Sequence, residues 1–197
     1  MQPNVWYIVT PHYFKKDFIM PHIHTNPGEH DHTVCIYVVR TDTPEPLCLL
    51  HMHRKLGKLL PAGGHIETHE TPWQTVAHEL EEETGYELSK LRILQPAARI
   101  NSLSECVVHP LPVVVQTHSY PILNHHHTDS SYALVASGPP LKPPSQDESQ
   151  DIRWLSRNDL ALLSPDEIYE NNREVYLFIL DHCLSEWEQI PTQEFTL

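Results

Sequence analysis

Runs of strand-forming residues that alternate with a few helical segments predict an α/β or α+β fold for this chain. Three observations carry that expectation. β-Branched and apolar clusters recur along the chain, beginning at residues 33–39 and 47–50. A complete helix-start signal stands at Thr71-Pro72-Trp73-Gln74. The length of 197 residues suits one domain with its own core, plus an extension.

Taken in order, residues 1–30 are expected to form an N-terminal extension packed on or flanking the core. It would hold a short strand at 5–10 and a His/Pro-rich surface loop running on to residue 31. The domain itself is expected to span 31–197. The run 33–39, a Thr/Pro turn and the run 47–50 read as a hairpin with a buried centre, and Leu59-Leu60 as a short strand before Pro61. At the helix start Thr71 is the N-cap, Pro72 takes the first helical position and Gln74 completes a capping box; Gly85 ends the helix after Thr84. Residues 91–98, 107–117 and 131–137 read as strands, bounded by Pro110, Pro112 and Pro121. The proline-rich stretch 138–144 is a stiff connection, too short to link domains. Residues 151–155 read as a last strand, Ser156 and Ser164 as N-caps, and 166–187 as the final helix.

Charge narrows the function. With 13 Lys and Arg against 26 Asp and Glu, the net −13 argues against non-specific grip on nucleic acid or anionic membrane. No apolar run approaches the ~20 residues of a membrane span. An anionic substrate would need help from a cation. The four cysteines are too dispersed for a metal knuckle and too few for a disulfide scaffold, and residues 1–10 lack the pattern of a signal peptide, so a cytoplasmic setting is expected. Sixteen histidines are scattered except for His125, His126 and His127, which alternate faces if extended and so cannot all ligate one metal.

Residues 59–89 contain seven glutamates and neither Lys nor Arg. A charge run is ordinarily a solvated helix face. At roughly 100° per residue, however, Glu79, Glu82 and Glu83 share one narrow stripe beside the apolar face made by Trp73, Val76 and Leu80, while Glu81 points away. Like charges at these spacings repel by some tenths of a kcal/mol per pair. A divalent cation would offset the repulsion, and an all-oxygen donor set favours Mg²⁺ or Mn²⁺ over Zn²⁺. Phosphoanhydride hydrolysis suits such a site.

The same residues resemble the Nudix box, which reads Gly, five residues, Glu, seven residues, then Arg-Glu-aliphatic-any-Glu-Glu-any-Gly-aliphatic. Here Gly64, Glu70, Glu79, Leu80, Glu82, Glu83 and Gly85 match in position, whereas His78 stands in the arginine slot and Tyr86 in the last aliphatic slot. Looser resemblance to bacterial Nudix proteins extends over about 31–163, through residues 33–51, Arg54 to Gly57, Pro61 to His65, His125-x-His127-x-Asp129-x-x-Tyr132, and Asp147-Glu148-Ser149 with Arg153-Trp154.

The resemblance implies an α/β/α sandwich with a mixed sheet between helices. It implies hydrolysis of a nucleoside diphosphate linked to another group, a pyrophosphohydrolase acting on a small nucleotide-type substrate, with Glu79, Glu82 and Glu83 on Mg²⁺ or Mn²⁺ and Glu70 in support. Nudix enzymes often recruit one more carboxylate, and Glu148 is the candidate. Arg54, Lys55 and Lys58 could meet phosphates or form a surface cluster, and His127 and Asp129 could touch substrate or make a cross-strand hydrogen bond. Two other readings compete. A Nudix-fold binding or regulatory module with little catalysis is motivated by His78, and a His-rich metal buffer would leave the glutamate spacing unexplained.

Overall fold

The computed structural model describes residues 28–120 and 125–197. The short strand expected at 5–10 and most of the His/Pro-rich loop lie outside these residues. His30 and Asp31, expected to end that loop, instead open the first strand. The strands are β1 (His30–Arg40), β2 (Leu47–His53), β3 (Lys58–Leu60), β4 (Ala62–His65), β5 (Arg92–Gln95), β6 (Val114–Tyr120), β7 (His125–Ala136), β8 (Ile152–Leu155) and β9 (Glu188–Pro191). Helix α1 (Pro72–Thr84) lies between β4 and β5; α2 (Arg157–Leu162) and α3 (Glu170–Phe178) follow β8.

These strands form one nine-stranded mixed sheet. At its centre β1 and β7 run parallel from His30↔His126 to Arg40↔Ala136, and every other strand pair is antiparallel. The other edge of β1 is shared. β4 pairs with Thr33 to Ile36, and β2 pairs only with Val39 and Arg40. The sheet therefore splays between β4 and β2, and the candidate site lies along that opening.

Alternation along β1 sends Val34, Ile36 and Val38 to one face and Tyr37 and Val39 to the other. The first set packs with Leu134, Tyr132 and the α1 residues Trp73, Val76 and Leu80. The second packs with Ala133, Val135, Leu160 of α2, and Ile168, Tyr176 and Ile179. Helices thus cover both faces, giving the expected α/β/α sandwich. Trp73 is fully buried, and its truncation to alanine would cost about 3–5 kcal/mol.

Helix α1 starts and stops where its capping residues require. Thr71 accepts from Gln74 N–H at 3.3 Å, the Gln74 side chain accepts from Thr71 N–H at 2.8 Å, and Gly85 closes the helix in the left-handed conformation at φ 74°. Tyr86, in place of an aliphatic residue, is buried, donates to the Gly138 carbonyl at 2.6 Å and stacks edge-on with Trp154.

Elsewhere several bounds differ from expectation. The strand expected at 107–117 forms at Val114–Tyr120, because Pro110 and Pro112 withhold ladder donors from the preceding stretch. That expected at 91–98 ends at Gln95, ahead of Pro96, and that expected at 131–137 extends back to His125 through polar residues. The last helix begins at Glu170 rather than 166, since Ile168 is drawn into a parallel bridge with Leu59 and the Glu167 carbonyl accepts from Leu59 N–H. Ser164 and Glu167 close a turn there instead of capping a helix. Past Phe178 the helix widens into a π turn at Ile179–Cys183 and ends with the turn Leu184–Glu186.

Candidate active site

The α1 glutamates meet the sheet at Gly63 and Gly64 of β4. Gly63 N–H donates to Glu83 Oε2 at 2.8 Å, and Glu83 Oε2 also lies 3.8 Å from His51 Nε2 on β2. Glu83 therefore sits in the opening between β4 and β2. Gly64 leaves the space taken by Glu79, whose carboxylate a Cβ at position 64 would strike. Glu82 projects farther out, half exposed, and pairs with His78 Nε2 at 3.1 Å. As the helical wheel requires, Glu81 is exposed and turned away, paired with Lys142 at 2.9 Å.

Electrostatics mark Glu79 and Glu83 as uncompensated. Burial raises the Glu79 carboxyl to about 7, against which the nearby His78 works and to which Glu82, Glu148 and Glu70 add. Burial likewise pushes Glu83 well above the usual carboxylate range, and Glu79, Glu148 and Glu82 add to it despite the bond from Gly63. Burial also lowers His51 to about 4, with His53 adding to the effect, so His51 offers Glu83 no positive charge at neutral pH. Among the described residues no lysine or arginine pairs with Glu79, Glu82 or Glu83. Several carboxylates gathered around an opening with no lysine or arginine paired to them make a donor set fitted to a hard divalent ion.

Glu148, chosen from sequence as the extra carboxylate, is close enough for its charge to act on both Glu79 and Glu83. Its loop is held at two ends. Ser145 N–H donates to the Glu82 carbonyl at 2.7 Å, and the Arg54 guanidinium donates to the carbonyls of Asp147 at 2.8 Å and Glu148 at 2.5 Å. Arg54 thus positions the Glu148 loop, a role its place in the sequence did not disclose. Lys58 is likewise engaged, donating to the Pro165 carbonyl and lying over the Tyr169 ring.

His78 fills the arginine slot with two contacts, Nδ1 at 3.5 Å from Glu70 and Nε2 at 3.1 Å from Glu82. Partial burial works against its cationic form, but Glu82, Glu79 and Glu70 outweigh it and raise its pKa. Glu70 in turn accepts from the Thr75 hydroxyl at 2.9 Å. A ring bridging two box glutamates is what a supporting cation at this position would provide.

Asp129 and His127 do not join the glutamates. Asp129 accepts from the Thr33 hydroxyl across β1 and pairs with His118 at 3.1 Å, the cross-strand alternative raised by the sequence. His127 meets His65 and His125 on the same strand face. Sequence reasoning missed that meeting. The period-two spacing His125-x-His127 was its only local sign.

The same fold recurs in known proteins. The NUDIX domain profile matches residues 29–178. No curated protein sequence matches the chain. Among solved structures, a NUDIX-family hydrolase from Clostridium perfringens is 30% identical with a TM-score of 0.64, over 77% of this chain and 96% of that one. A NUDIX hydrolase from Nitrosomonas europaea shares the fold at 14% identity and TM-score 0.56, over 85% and 96% of the two chains. A C. elegans Ap4A hydrolase shares it at 16% and 0.55, over 75% and 93%. The NUDIX domain of Shewanella oneidensis NrtR, complexed with ADP ribose, does so at 14% and 0.54, over 75% and 84%. With its box glutamates gathered at the sheet opening and the profile covering most of its length, the chain belongs to the NUDIX domain family.

Proposed function

We propose that this protein is a metal-dependent pyrophosphohydrolase that cleaves a phosphoanhydride bond in a nucleoside diphosphate linked to another group. The observation that carries this reading is the gathering of Glu79, Glu82, Glu83 and Glu148 around the sheet opening, where burial and mutual repulsion raise the Glu79 and Glu83 carboxyl pKa values. Glu79, Glu82 and Glu83 would hold Mg²⁺ or Mn²⁺. Such an ion, when bound, neutralises a diphosphate and makes water a stronger nucleophile.

The chain's own groups supply the rest. Gly63 fixes Glu83 through its N–H, Gly64 gives Glu79 its place, and His78 joins Glu70 to Glu82. To Glu148, whose loop Arg54 holds, we assign the proton of the attacking water. That two fold neighbours are an Ap4A hydrolase and a domain holding ADP ribose supports a nucleotide as the class to test first. No helix among the described residues is long and apolar enough to cross a membrane.

A screen of nucleotide sugars, dinucleotides and nucleoside triphosphates with Mg²⁺ or Mn²⁺ tests the proposal, reading phosphate with and without added phosphatase. Turnover of at least one compound is expected, falling ~10²-fold or more in Glu83→Gln and staying at the parental level in Glu81→Gln. Tight nucleotide binding with no turnover under any metal would favour the binding-module reading instead.

A further inference from the structure

The face of the sheet that carries α2 and α3 changes character along its length. On β7, Val135 and Ala133 lie in the core, and Ser131, Asp129, His127 and His125 follow at the same period. On β1 the sequence is Val39, Tyr37, Cys35, Thr33 and Asp31. The register sets Asp31 opposite His127 and Thr33 opposite both Asp129 and His65 of β4. Three strands thereby bring Asp31, His65, His125 and His127 to one point, their nearest donor atoms all within 4.8 Å of one another. His125 and Asp31 are buried, and His65 and His127 are partly open to solvent.

From this convergence we infer that Asp31, His65, His125 and His127 form a second metal site, selective for a Zn²⁺-class transition ion and distinct from the glutamate site. The donors are imidazole Nε2 atoms and one carboxylate oxygen. His125 and His127 Nε2 are 2.8 Å apart, His65 and His127 Nε2 3.3 Å, and Asp31 Oδ2 lies 3.7 Å from His65 Nε2 and 3.9 Å from His125 Nε2. A tetrahedral ion with bonds of ~2.0–2.1 Å needs donor separations of about 3.3 Å. With all four donors within 4.8 Å of one another, no separation need change by more than about 1.5 Å to reach that geometry. Three nitrogens and one oxygen suit Zn²⁺, Co²⁺ or Ni²⁺ and disfavour Mg²⁺, which takes oxygen donors. Asp31 supplies one negative charge, and the net −13 of the chain favours any cation.

Four protein donors complete a tetrahedron, which is the pattern of a structural centre rather than one with an open position. Its effect is to clip β1 and β4 to β7. The two metal sites would stand back to back across β4, since Gly64 faces Glu79 and the next residue, His65, faces the opposite way. This inference needs neither the glutamates nor the proposed hydrolysis.

The test uses the untagged full-length protein, treated with chelator and dialysed, with excess Mg²⁺ present to occupy the glutamates. Zn²⁺ is titrated by calorimetry, Co²⁺ is followed by visible absorption, and thermal melts are recorded with and without Zn²⁺. One tight equivalent is expected, with an intense tetrahedral Co²⁺ spectrum and a raised Tm. It should persist in His32→Ala, an exposed histidine outside the cluster, and in the triple variant Glu79→Gln, Glu82→Gln, Glu83→Gln. Affinity should fall more than ~100-fold in His127→Ala, beyond the ~10–100-fold typical of losing a supporting group. His65→Gln, at the partly open end of β4, gives the same readout should His127→Ala fail to fold. The inference is overturned by absence of a tight equivalent, by an octahedral spectrum, by binding that survives in both cluster variants, or by loss confined to the glutamate variant.

Discussion

Replacing Gly64 by alanine asks whether the Glu79 carboxylate must lie against β4 for turnover. A Cβ at that position would stand 2.6 Å from the Glu79 carboxyl carbon, where carbon atoms normally meet at ~3.5–4.0 Å. The carboxylate must therefore retreat by roughly 1 Å. Gly64 does not have a positive φ, so alanine adds no backbone strain and the pairing with Val34 can persist. Displacing a reacting group by ~1 Å costs about 10²-fold in rate. The expected result with saturating Mg²⁺ is a kcat about 100-fold below the parent, with an unchanged far-UV circular dichroism spectrum. Shortening the acid in the double variant Gly64→Ala, Glu79→Asp should restore part of the loss by making room for the Cβ. Parental kcat in Gly64→Ala, alongside an inactive Glu79→Gln, would refute the reasoning by showing that the carboxylate works from elsewhere.

Three further outcomes follow from the site. Arg54→Ala should lower kcat about tenfold with little change in KM, and should add almost nothing in a Glu148→Gln background, because both act through one loop; additive losses in the double-mutant cycle would separate them. In chelator, the Glu79 carboxyl at about 7, above its ordinary 4.5, means folding favours its protonated form. Stability lost to this group therefore grows as pH rises from 4.5 through 7. The difference in unfolding free energy between Glu79→Gln and the parent should widen by roughly 2–3 kcal/mol from pH 5 to pH 8, read by urea denaturation, and Mg²⁺ should narrow it. His78→Arg should keep kcat within a few-fold by retaining contacts to Glu70 and Glu82, whereas His78→Ala should lower it about tenfold; equal effects of the two would leave the ring no bridging role.

What the sequence disclosed divides along a physical line. Helix α1 was legible from Thr71 to Gly85 because its cap, its period and its stop are all local. The glutamate stripe followed from that helix alone. Strand β4 was not legible, since Ala62-Gly63-Gly64-His65 has no strand propensity and exists by pairing with β1. The first half of β7 was half legible: the spacing of His127 and Asp129 allowed a cross-strand bond, but residues 125–130 are polar and it is their register against β1 that makes them strand. The histidine cluster was hidden for the same reason. Its donors lie at positions 31, 65, 125 and 127, and no short-range signal connects them. Arg54 was left between a phosphate contact and a surface cluster, because charge is visible in a sequence and a carbonyl 93 residues away is not.

The parallel pairing of β1 with β7 has a consequence for how the chain is made. Each registered residue of β1 meets a partner 96 positions later, as Thr33 does Asp129. At translation rates of ~5–20 residues per second, β1 waits about 5–20 s for its neighbour to be synthesised. During that interval Val34, Ile36, Tyr37, Val38 and Val39, all buried in the finished molecule, have β2, β4 and α1 to shelter them but an open edge where β7 belongs. Such an edge invites pairing with other nascent chains. Yield in rapid overexpression should therefore depend on temperature and on chaperone supply more than the stability of the completed fold would suggest.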